Sequence, residues 1–148
     1  MALVRFIDGV LRRWRRQTFS EAPHLALGRE GEELADRFLR KRGYRVLRRN
    51  FRGPRGGEVD LVCRDKLRGE LVFVEVKTRT SEEFGRPMSA VDTKKQRLII
   101  RGAIAWLRML EMPDITFRFD VIEVILEGGE PEIRHIENAF QLPDTYSY

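Results

Sequence analysis

The segment Leu71-Val72-Phe73-Val74-Glu75-Val76 is apolar at every position except one. Such a run suits a strand covered on both faces, because a strand with one wet face alternates polar and apolar residues. A chain built around it must supply helices for both sides of a sheet, which points to an α/β arrangement. With 148 residues, 42% of them apolar, there is material for one such domain without disulfide or metal staples. Cys63 is the only cysteine, which excludes an internal disulfide and a cysteine-rich zinc site. The longest run of apolar and glycine residues, Gly102 to Leu107, falls far short of the ~18 residues that span a bilayer. The first twenty residues lack the apolar centre of a signal peptide, so a cytoplasmic protein with no integral membrane association is expected.

The element order follows from periodicity. Residues 3 to 16 set Leu3, Ile7, Val10, Leu11 and Trp14 against five arginines, a basic amphipathic helix, and residues 1–22 are read as this helix and a linker ahead of the main domain, 23–148. Residues 24 to 42 give a second helix, with Leu27, Gly31, Leu34, Ala35, Phe38 and Leu39 on one stripe and Gly43 as its stop. Tyr44 to Phe51, Glu58 to Arg64 and Leu71 to Thr78 read as a three-stranded meander. Residues 79 to 90 read as loop, Ser89 or Asp92 can cap a helix running to about Leu110, and Ile115 to Leu126 and Glu132 to Ile136 complete a mixed sheet. The expected class is α/β of the α+β type: a mixed central sheet flanked by helices in the order α-β-β-β-α-β, behind the extra N-terminal helix.

Charge is polarised along the chain. The total is +5, but Arg37, Arg40, Lys41, Arg42, Arg45, Arg48, Arg49, Arg52 and Arg55 form a block with no acid among them. From Asp120 onward seven acids face one basic residue, Arg134. The basic block suits a polyanion, and its bland reading is a solvated helix end and loop.

The chemistry concentrates where charge interrupts apolar strands. An ionised Glu75 in a doubly covered strand costs several kcal/mol unless a cation compensates it. Lys77, two residues on, projects from the same strand face. Pairing the second and third strands through the 65–70 turn sets Leu61 opposite Val74, Asp60 opposite Glu75 and Glu58 opposite Lys77, with Val59 and Leu61 on the other face. Two opposed carboxylates repel unless a divalent cation sits between them, and carboxylates with backbone carbonyl and water favour Mg²⁺ or Mn²⁺ over zinc. The competing reading is a wet sheet face on which Asp60 and Glu58 pair with Lys77. On the helix before them, Glu32 lies at the edge of the apolar stripe and can turn toward the sheet. Glu33 falls with Arg29, Asp36, Arg37 and Arg40 on the outer face. His24 and His135 read as capping or surface residues, Cys63 as core, and Trp106 as packing rather than base-stacking.

The sequence resembles the bacterial YraN-like family, predicted endonucleases distantly similar to archaeal Holliday-junction resolvases within the PD-(D/E)XK nuclease superfamily. The residues that carry the likeness are Gly31-Glu32 with Leu34-Ala35, Gly43-Tyr44, Asn50, Gly57-Glu58-Val59-Asp60-Leu61 and Val72-Phe73-Val74-Glu75-Val76-Lys77-Thr78-Arg79. Phe84-Gly85, Arg118-Phe119-Asp120-Val121 and Asn138-Ala139-Phe140 add to it. The likeness implies a restriction-endonuclease-like core with Asp60, Glu75 and Glu32 as metal ligands and Lys77 as the residue that positions the attacking water. Glu58 has a less defined place, as a structural partner of Lys77.

The expected function is metal-dependent hydrolysis of phosphodiester bonds in structured or branched DNA, with Arg45, Arg48, Arg49, Arg52, Arg55, Arg79, Lys94, Lys95 and Arg97 contacting the backbone. Backbone contacts favour shape over base sequence, and paired cuts in a four-way junction imply a homodimer. Two rivals remain: a non-catalytic nucleic-acid- or protein-binding module on the same fold, and a peripheral membrane protein held by the N-terminal helix.

Overall fold

A computed structural model describes residues 23–80 and 91–146. The N-terminal amphipathic helix, the linker, and Phe84, Gly85 and Ser89 lie outside the described residues. The remaining elements are α1 (Pro23–Lys41), β1 (Tyr44–Arg52), β2 (Glu58–Asp65), β3 (Leu71–Thr80), α2 (Thr93–Met109), β4 (Phe117–Leu126) and β5 (Glu132–Phe140). They form one five-stranded sheet in the order β1-β2-β3-β4-β5. Only β3 and β4 are parallel, and α2 makes the crossover between them. The mixed α/β class expected from the sequence is the observed one.

The near-continuous apolar run of β3 sits at the centre of this sheet and is covered on both sides. Val72 and Val74 face α1, meeting Ala35, Leu39, Leu61, Cys63, Ile122 and Val124. Leu71 and Phe73 face α2, meeting Val59, Val62, Ile99, Ala103, Leu107 and Phe119. Each face therefore has its own apolar layer, which satisfies the requirement that the doubly covered strand imposes.

Both helices approach closely because glycine lets them. A Cβ on Gly31 of α1 would overlap Thr78 Oγ1 on β3, and a Cβ on Gly102 of α2 would come within 2.9 Å of Glu58 N at the start of β2. Helix α2 starts at Asp92, whose carboxylate accepts from Lys95 N at 2.8 Å, so the cap falls on the second of the two expected residues.

Several details depart from the sequence reading. β5 runs four residues beyond Ile136 to Phe140, whose ring stacks on Phe119 at 4.8 Å. Asn138 within it adopts a φ of 54° and donates its N–H to Asp120 Oδ1 at 3.0 Å, giving the Asn-Ala-Phe segment a structural role. His135 is not a surface residue: its side chain is 4% exposed and its Nε2 lies 2.7 Å from Asp120 Oδ2. Asp36, expected on the outer face of α1, is buried and pairs with Arg40 and, at 3.8 Å, with Arg49.

His135, Asn138 and Asp120 belong to a network at the end of the sheet where β3 and β4 begin. Arg118 is buried there and donates from Nε to Asp120 Oδ1 at 3.0 Å, from Nη2 to the Tyr44 hydroxyl at 2.8 Å, and from Nη1 to Asp65 and Glu70. A guanidinium with five donors can satisfy several acceptors at once, which is how the first residues of β1 and β4 and the last of β2 are held together.

Candidate acid-centred site

The candidate site lies at the opposite end of the same strands. The β2–β3 pairing runs from Arg64↔Leu71 to Leu61↔Val74 in the register expected from the sequence, and its backbone pairing ends there. Beyond it a side chain takes over: Asp60 Oδ2 accepts the N–H of Val76 at 2.8 Å. The inward and outward alternation of β2 also breaks at Asp60. Val59 packs with the α2 layer and Leu61 with the α1 layer, so the two do not share a face as simple alternation predicts. The neighbouring strand has a matching irregularity at Asn50, with a φ of 49°.

Glu75 reaches the same place from β3 and is itself buried. Its carboxyl group meets that of Asp60 within hydrogen-bonding reach. Burial first, and then the neighbouring Asp60, push Glu75 up to about 8. Burial also raises Asp60, against the opposing pull of the Val76 N–H.

Lys95, in the first turn of α2, closes the cluster from the other side. Its ammonium binds Glu58 and lies 3.6 Å from Glu75 Oε1. Burial works against its charge, but Glu58, Glu75 and Asp60 outweigh that and hold its pKa above the ordinary value. The Glu58 carboxylate, weighed from sequence as a partner for Lys77, is thus engaged by Lys95. Lys77 is half-buried two residues beyond Glu75, opposite Glu123 in the β3–β4 register.

Glu32 is carried toward the cluster by the close packing of α1 at Gly31. Burial and the charge of Asp60 raise its pKa, while a hydrogen bond from Asn50 and the charges of Arg49 and Arg29 lower it. It is near enough to feel Asp60, yet its carboxylate is tied to Asn50. Among the described residues no three His, Cys, Asp or Glu side chains stand arranged as a ready-made metal cage. Two hard carboxylates that meet at one point nevertheless fit Mg²⁺, an ion commonly held by one or two carboxylates while keeping several waters.

The basic residues divide into two groups. Arg45, Arg48, Arg49, Arg52 and Arg55 are exposed on the β1 edge strand and the turn after it, and Lys94 and Arg97 are exposed on α2. Arg79 and Lys95 are not outward-facing. Arg79 has a side chain only 13% exposed and binds Glu123 at 2.9 Å, and Lys95 belongs to the acid cluster. The role of Lys95 was legible only in part, since sequence spacing does not say which side of a helix start meets a sheet.

A mixed sheet with a carboxyl pair set where two adjacent strands part defines an α/β protein with its polar centre at one end of the sheet. The chain belongs to uncharacterised protein family UPF0102, the YraN-like family, whose model matches residues 31–124. It is similar to the UPF0102 protein of Trichlorobacter lovleyi, with 52% identity over 79% of this chain and 91% of that one. Similar relatives occur in Geobacter metallireducens, 49% identical over 79% of this chain and 93% of the relative, and in Geobacter sulfurreducens, 51% identical over 78% and 89%. Among the described residues, no helix is long and apolar enough to cross a membrane.

Proposed function

We propose that this protein is a Mg²⁺- or Mn²⁺-dependent endonuclease acting on structured or branched nucleic acid, DNA of the Holliday-junction type being the expected substrate. The observation that carries the reading is the meeting of the Asp60 and Glu75 carboxyl groups where β2 and β3 part, with Lys77 two residues along the same strand. A pair of close carboxyl groups, both pushed up by burial, has the donor chemistry for a hard divalent ion. When bound, such an ion supplies Lewis-acid charge and makes a water molecule more acidic. Asp60 and Glu75 would hold it, and Glu32 would orient water at its edge.

Lys77 would place its ammonium against the charge that develops on the phosphate, a stabilisation most effective where solvent is excluded. Lys95 would yield its place beside Glu75 to the ion. The exposed arginines of β1 would draw the polyanion toward a cluster whose own charge repels it. A junction cut on two strands would take two copies of the chain.

The test is incubation of the purified protein with labelled four-way junction, flap, single-stranded and plain duplex DNA in Mg²⁺, Mn²⁺ or chelator. Metal-dependent cleavage that Asp60→Asn and Lys77→Ala each abolish supports the reading. Cleavage surviving in chelator, or in both variants, exposes a contaminant and removes the support. Binding without cleavage of any substrate favours the second reading, a non-catalytic docking module. That reading draws on Lys95, which already neutralises part of the cluster without any metal.

A further inference from the structure

On the outer side of α2, away from the sheet, lies a groove of about 710 Å³ between that helix and the turn joining β1 to β2. Arg55, Arg101 and Arg108 border it, and Ile104, Met109 and Tyr146 give it an apolar and aromatic floor. No carboxylate lines it among the described residues. Arg101 Nη1 donates to the carbonyl of Arg55 at 3.4 Å, linking the two walls.

The arginines extend a longer pattern. At about 100° per residue, Lys94, Arg97, Arg101 and Arg108 fall within an arc of about 60° on α2. All four are exposed. At 1.5 Å per residue this stripe covers roughly 21 Å. It starts beside Lys95, whose ammonium touches Glu58 and Glu75. Cationic spacing along one line with an aromatic and apolar floor is the chemistry that holds a single nucleic-acid strand, phosphates on the guanidinium groups and bases on the ring. A plain duplex keeps its base faces stacked inside and cannot use that floor.

We infer that the groove between α2 and the 52–57 turn binds an unpaired nucleic-acid strand, with Arg101 and Arg108 on its phosphates and Tyr146 against a base, and leads it along α2 toward the acid cluster. The inference rests on the nuclease reading for the purpose of that path, and it makes the substrate a branched or frayed structure with a single-stranded part. Tyr146 is 37% exposed and Met109 63%, so the floor is open to a ligand.

The test measures fluorescence anisotropy of labelled oligo(dT) and of a blunt duplex with the full chain in EDTA, where no cleavage can intervene. Wild type should prefer the single strand. The Arg101→Glu, Arg108→Glu double variant should weaken oligo(dT) binding by about tenfold or more and flatten its salt dependence. An Arg64→Glu, Lys66→Glu double variant carries the same charge change on exposed residues at the far end of the sheet. It should change binding less than about threefold. Tyr146→Ala should reduce the preference for single strand over duplex. Unfolding curves confirm that each variant is folded.

Equal binding of oligo(dT) by wild type and a folded Arg101→Glu, Arg108→Glu variant overturns the inference, as does a wild type that binds oligo(dT) no better than blunt duplex. The two readings fail separately. Groove-dependent binding with no Mg²⁺-dependent cleavage sinks the nuclease and leaves the groove, whereas junction cleavage unaffected by the double variant sinks the groove and leaves the nuclease.

Discussion

Glu75 meets Asp60 carboxyl to carboxyl at the point where β2 and β3 cease to pair. Burial pushes both acids up, so whatever displaces their protons must bring positive charge of its own. If the displacing agent is a divalent ion, Mg²⁺ or Mn²⁺ should raise the melting temperature of the wild-type chain by mass action. Asp60→Asn and Glu75→Gln should each abolish the shift, as read by differential scanning fluorimetry with and without chelator.

Cleavage should fall by about 100-fold or more in Lys77→Ala, within the usual range for a positioned side chain. Metal-induced stabilisation should persist in that variant, because Lys77 is not a ligand in the proposed site. Single-turnover rates on a labelled junction, measured beside the melting shift, separate the two effects.

Lys95 offers a sharper test of charge balance. With methionine in its place the acids keep their mutual repulsion and lose their cation, so Lys95→Met should be less stable than wild type in chelator. The difference should be about 1 kcal/mol, since Lys95 and Glu58 are partly solvated and their attraction is screened. Mg²⁺ should close the gap, and a gap unchanged by metal would show that the ion binds elsewhere.

The Arg118 network predicts the acid limb of stability. Burial opposes ionisation of Asp120, but hydrogen bonds from His135, the Asn138 N–H and Arg118 prevail and hold its carboxyl below the ordinary range. Folding therefore favours the ionised form. That contribution is complete above the unfolded pKa of about 3.9 and is lost as pH falls through the depressed native value. Asp65 is held low against its burial by the Arg68 and Leu67 N–H groups and Arg118, and it acts with the same sign. Urea midpoints should fall along this limb below about pH 4. Asp120→Asn should cost about 1.5–3 kcal/mol at pH 7, the usual worth of hydrogen bonds to a charged group, since Arg118 keeps Asp65 and Glu70, and should make the acid limb shallower.

Close helix packing predicts an asymmetry between two glycines. Gly31→Ala meets first the hydroxyl of Thr78, so a second substitution, Thr78→Ala, should recover part of the loss. Gly102→Ala meets Glu58 backbone as closely as it meets Val59 Cγ2, so trimming Val59 leaves the backbone overlap in place. Each single variant should lose about 1–3 kcal/mol in denaturant melts, the usual cost of overpacking, and only the first should show rescue.

Much of this architecture can be read directly from the chain. The run from Leu71 to Val76 demands cover on both sides, and the short turn after Asp65 leaves one sensible alignment, Leu61 opposite Val74. The break at Asp60 is not readable, because period-two alternation carries no sign of a residue whose side chain substitutes for a backbone acceptor. The same limit explains why Val59 and Leu61 were expected on one face. Asp36 and His135 resemble surface residues in composition, and only the positions of Arg40, Arg49 and Asp120 across the fold show why burying them is tolerable. Lys95 looks like one more helix-surface cation until α2 is seen to start directly over Glu58.

The network around Arg118 and the acid cluster occupy opposite ends of the same strands. One end behaves like a riveted joint and the other like the open jaw of a wrench. A lineage could therefore retool the jaw, changing which polymer it grips or whether it cuts, while the rivet keeps the frame intact.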